Sequence, residues 1–158
     1  MQKLVIILVA FATSLISAQS NYEMGMQKAF ELWGSNNPAE ASNMFERIAN
    51  AEPDNWLPAY YAAQVNIVNS FGLRDEQKLT AQLKKAQDLI NDATAISKNN
   101  PEILVLQALL YTAWVAYDGA TYGMTMSPKV ESIYAQAEQI APENPRVVYC
   151  KAEWGIGG

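Results

Sequence analysis

The residue types that most often carry proton-transfer or metal chemistry at neutral pH are scarce in this chain. There is no histidine among its 158 residues, so the usual general base and the usual transition-metal ligand are both missing. Cys150 is the single cysteine, set between Tyr149 and Lys151. Without a histidine to activate it, it reads as a small buried apolar residue or as half of a bridge to another chain. Met24 with Met26 and Met124 with Met126 have a spacing sometimes used for soft copper(I). Residues two apart do not share a helix face, however, and methionine is a common gap filler. Glu23 with Glu31 and Asp88 with Asp92 are acid–base candidates by type, but such charges normally lie on solvated helix faces. Gly155-Ile156-Gly157-Gly158 is too short and wrongly placed for a phosphate-binding loop. The expectation is a protein that is not an enzyme and holds no cofactor or metal.

The elements that would position any binding residues are helices throughout. Tyr22, Met26, Ala29, Phe30 and Trp33 recur at three and four residues, and Gly34-Ser35-Asn36-Asn37-Pro38 then breaks the pattern. A second helix, from Pro38 to Ala51, carries Ala41, Met44, Phe45, Ile48 and Ala49 on one side. Trp56 to Asn69 is apolar over so much of its circumference that it needs cover on more than one side. Ser70 to Asp75 is a linker, and Leu79, Leu83, Ala86, Ile90 and Ala93 stripe a long helix from Glu76 to Ser97. Pro101 opens the most apolar helix, which runs to Tyr117. Asp118 to Ser127, with glycines, aromatics and methionines, reads as an irregular connection before a helix from Pro128 or Lys129 to Ala141. A seventh helix spans Arg146 to Trp154.

The first residues have another character. Lys3, the unbroken apolar run Leu4 to Ala12, and small residues ending at Ala18 predict a secretory signal peptide over residues 1–18. The run is well short of the roughly 20 residues that span a bilayer, so an uncleaved membrane anchor is the weaker alternative and no stable membrane insertion is expected after cleavage. The mature chain, residues 19–158, is then expected to be exported, periplasmic or secreted. Cleavage removes Lys3 and no acid, taking the formal charge from -5 to -6. With sequence pI near 4.7 and no lysine or arginine cluster, nucleic acid is an unsuitable partner.

Three helix stops recur: Pro53-Asp54-Asn55, Lys98-Asn99-Asn100 and Pro142-Glu143-Asn144. Each follows a helix with small and large inward residues in similar places: Ala41 and Phe45; Ala86, Ile90 and Ala93; Val130, Tyr134 and Ala137. By that count the first unit, residues 22–55, is 34 residues long. On these residues the chain resembles the tetratricopeptide repeat family, whose units are helical hairpins of that length with alanines at the close approach of the two helices. Ala29, Ala63, Ala108 and Ala152 hold that place here. The resemblance implies an all-α fold of antiparallel hairpins stacked as a right-handed array of about three and a half units: 22–55, 56–100, 101–144 and a partial 145–158. An unrelated bundle of six or seven helices is the alternative. Because Val147, Val148 and Trp154 have no following helix to cover them, the expectation is that the natural protein continues beyond Gly158, with dimerisation as the alternative.

The resemblance also implies a ligand surface, because the first helix of each hairpin lines the concave face in such arrays. Carried over, that face comprises Met26, Phe30, Trp33, Tyr60, Gln64, Ile67, Val105, Leu109, Thr112 and Tyr149. It is apolar, and the lysine and asparagine clamp of some family members is replaced by residues such as Met26, Phe30 and Tyr61. It is either a groove for a hydrophobic segment or, in a tight superhelix, simply core. The function expected is a scaffold that binds a protein or peptide. The alternatives are an accessory subunit of an envelope enzyme or transport system, and a binder of a small molecule or metal that uses the aromatic and methionine residues.

Overall fold

A computed structural model describes residues 21–157. The expected signal peptide, residues 1–18, lies outside the described residues. Within them the chain is all-α: helix α1 covers residues 21–34, and there is no strand. It is followed by α2 (Pro38–Ala51), α3 (Trp56–Ser70), α4 (Glu76–Ile96), α5 (Pro101–Tyr117), α6 (Gly119–Ile140) and α7 (Pro145–Gly157). No helix among the described residues is long and apolar enough to cross a membrane.

Asparagine sets both the starts and the breaks. Asn55, Asn100 and Asn144 cap α3, α5 and α7, each side chain accepting from the amide two residues on, at 3.1, 2.9 and 2.9 Å. This satisfies one of the amides that a helix start leaves without an internal partner. Asn36 and Asn99 sit in the left-handed region, at φ 61° and 54°. Asparagine is one of the few residues with a side chain that tolerates this conformation, and there the chain turns from α1 into α2 and from α4 into α5.

Successive helices pack as pairs from α2 to α7, and two further contacts skip a helix, α3 with α5 and α5 with α7. Helix α5 is therefore covered by α3, α4, α6 and α7, as its apolar circumference requires. Aromatic rings fasten α1 to the next two helices: Phe30 lies 5.1 Å from Phe45 and 4.7 Å from Tyr61, both edge to face. Ala29, Ala63 and Ala108 are completely buried where helices approach closely. Ala152, expected in the same role, is exposed on α7, because no helix packs over that side among the described residues.

The expected connection from Asp118 to Ser127 is corrected by the structure: from Gly119 onward it is helix. Only Asp118 separates α5 from α6. Its carboxylate accepts from the amides of Ala120 and Thr121 and from the Thr121 hydroxyl at 2.6 Å, which holds the acid below its ordinary pKa. Pro128 lies inside the helix and supplies no amide to the Met124 carbonyl, on a stretch where Met124 is 91% exposed to solvent. Tertiary contacts offset these handicaps. Tyr122 packs 4.8 Å from Trp114 and donates to Glu76 at 2.7 Å, and the Lys129 ammonium sits 5.1 Å above the Tyr111 ring.

Candidate ligand groove

Helix α7 covers α5 only in part, and the gap is a groove of about 470 Å³. From α5 come Val105, Leu109, Thr112 and Ala116, one stripe at intervals of three and four residues. From α7 come Arg146, Cys150, Glu153, Trp154 and Gly157, a second stripe with the same periodicity. Tyr134 of α6 and Phe71, just past α3, add to the lining. The volume falls within the range of ordinary ligand sites, and apolar lining with a few polar groups is their usual composition.

One end is fixed by charge. The Arg146 Nε lies 3.4 Å from a Glu102 oxygen, while the other Glu102 oxygen accepts from the Asn144 side chain at 2.9 Å. Thus the carboxylate in the first turn of α5 grips the first residues of α7. The guanidinium also lies 5.8 Å from the centre of the Tyr60 ring, bringing α3 to the same place. Tyr60 is 3% exposed and its hydroxyl has no hydrogen-bond partner among the described residues. Burial pushes it up to about 12, against the opposing pull of Arg146. Burial likewise pushes Tyr134 up to about 12. The Cys150 sulfur is also raised by burial, with Arg146 opposing, so it faces the groove as a thiol at neutral pH and is a poor nucleophile there. Among the described residues no group of three or more histidine, cysteine, aspartate or glutamate side chains is placed to hold a metal ion.

No protein-family model, no curated protein and no solved structure matches this chain at a significant level.

The ten residues expected on a ligand face are divided by the fold. Val105, Leu109 and Thr112 come together in the groove. Met26, Tyr60 and Ile67 instead belong to the main core, at 8%, 3% and 0% exposure, and present no surface to a ligand. Trp33 packs against the edge of that core, and Phe30 is partly exposed while meeting Phe45 and Tyr61 edge to face. Gln64 is half-buried on α3. Tyr149 is exposed on α7 outside the groove, its hydroxyl 3.4 Å from Glu153. The residues overlooked from sequence are Phe71, Tyr134, Arg146, Glu153 and Trp154. The α7 members did carry a signal, since Arg146, Cys150, Glu153 and Trp154 share one helical face.

Proposed function

We propose that this chain is an exported, non-enzymatic array of tetratricopeptide-like hairpins that binds a protein or peptide partner through the groove between α5 and α7. The observation that carries this reading is the groove itself: it is open to solvent, mainly apolar, lined by a side-chain stripe from each of α5 and α7, and its cysteine is held as a thiol. Three features support the repeat architecture: the recurring asparagine caps, the helix pairs, and the contacts that link α3, α5 and α7 across them. Export rests on the charged start, apolar run and small residues of positions 1–18.

The test compares the wild-type mature chain with Leu109→Arg, which sets a cation in the apolar floor. Both are used to capture partners from an envelope extract of the native host, and bound proteins are identified by mass spectrometry. A partner recovered by the wild type and lost by the variant is expected, with the circular dichroism spectrum unchanged. Equal recovery by a folded variant removes the groove from the function.

A further inference from the structure

Trp154 and Tyr134 are shared by the groove and by a second hollow of about 360 Å³ that also includes Glu131 and Lys151. Two of the three cations in this neighbourhood are paired, Arg146 with Glu102 and Lys151 with Glu138 at 2.6 Å, while Lys129 lies over the Tyr111 ring and keeps its charge. Glu131 makes no ion pair among the described residues, and Glu153 receives only the 3.4 Å contact from the Tyr149 hydroxyl. Two carboxylates without an ion-pair partner among the described residues, Glu153 in the groove and Glu131 in the adjoining hollow, therefore outnumber the one unpaired cation, Lys129, in a chain of formal charge -5.

The walls also restrict the backbone of an occupant. They are helices, whose main-chain groups are bonded internally, so an extended peptide would find no ladder of donors and acceptors for its own backbone. A helix arrives with those groups satisfied. The stripe from Val105 to Ala116 spans eleven residue steps, about 16 Å at 1.5 Å per residue, which matches roughly three turns of a partner helix.

We propose that the groove receives a basic amphipathic helix, its apolar stripe on Leu109, Ala116 and Trp154 and its lysine or arginine side chains on Glu153 and, in the adjoining hollow, Glu131. This rests on the reading of the groove as a peptide site and names the class of peptide. The probe is a synthetic 14-residue helix of leucines and lysines in amphipathic order, with a twin in which glutamate replaces every lysine. Both are titrated calorimetrically into the mature chain. Binding of the lysine peptide alone is expected, and the double variant Glu131→Gln/Glu153→Gln should weaken it about tenfold, as loss of two complementary charges does. The control Glu40→Gln/Asp54→Asn makes the same change in net charge on distant exposed residues and should leave affinity within about twofold, as screened remote charges do.

Equal loss in the control pair would reduce the attraction to bulk charge and overturn the proposal. Binding of the glutamate twin, abolished by Leu109→Arg, would overturn it while leaving the groove as a peptide site. Binding of neither peptide would remove the basic helix as occupant, and the capture experiment would then decide separately whether the groove binds protein at all.

Discussion

The two ends of this molecule are built to different degrees of closure. From α1 to the inner face of α5 there is one continuous core, with twenty-one buried apolar residues among those described and an aromatic cluster of Phe30, Phe45, Trp56, Tyr60 and Tyr61. Between α5 and α7 the second core has six: Val105, Ala108, Val130, Tyr134, Ala137 and Val147. Helix α7 contributes one of those, Val147, while Val148, Tyr149 and Ile156 are 51%, 65% and 88% exposed. The cause is cover: α3 has helices on several sides, whereas α7 has α5 and α6 on one side only. Apolar surface left uncovered becomes groove, so the candidate site lies where packing is thinnest. Low local stability is a common property of binding elements.

Phe45→Ala gives the largest expected effect on this contrast. The side chain is completely buried and touches two other rings, and its removal should cost about 3–5 kcal/mol in urea unfolding. A loss below about 1 kcal/mol would mean that the first core is as loose as the second. Val147→Ala is smaller, roughly 1.6 kcal/mol for two buried carbons at about 0.8 each. Its signature is regional: hydrogen exchange should accelerate across α7 and leave α2 to α4 unchanged. Uniform acceleration would show that the two cores unfold as one unit.

The smallest effect is at Tyr60, where the two regions meet through Arg146. Tyr60→Phe keeps the ring and deletes the unpartnered hydroxyl, so stability should change by less than about 1 kcal/mol, toward the stable side. The wild type should show an alkaline dependence that the variant partly lacks. A pKa raised from 10.0 to about 12 favours the folded state fully below pH 10, and this contribution is lost as pH climbs toward 12. Tyr134, also raised to about 12 by burial, and the raised Tyr122 and Cys150 contribute alkaline dependence of the same sign in both proteins. Identical alkaline profiles for wild type and variant would place the effect elsewhere.

Helices whose pattern and partners agree were legible from sequence. The stripe Leu79, Leu83, Ala86, Ile90 and Ala93 is buried throughout, and Ala41, Phe45 and Ile48 likewise. The start of α6 was not legible, because Gly119, Gly123 and Pro128 all speak against helix locally. What overrides them is distant in sequence: Tyr122 meets Glu76 across 46 residues. The site was half legible for a related reason. Val105 and Leu109 stand out because α5 is too apolar to be left uncovered, whereas Arg146 and Glu153 look like ordinary solvated charges until α5 is placed beside them. Tyr60 and Ile67 were expected on a face that the packing of neighbouring helices closes.

The asparagine joints make the molecule extensible. Asn100 and Asn144 stand at equivalent helix starts, each followed by proline and each giving its side-chain oxygen to the amide two positions later. A second copy of residues 101–144 spliced in after Asn144 would meet the same start geometry at both seams. One mismatch would fall at the partner of Glu102, because the residue equivalent to Arg146 in the inserted copy is itself a glutamate. A reversal of charge in the first turn, Glu102 in α5 against Arg146 in α7, thus distinguishes two helix starts whose capping geometry is the same.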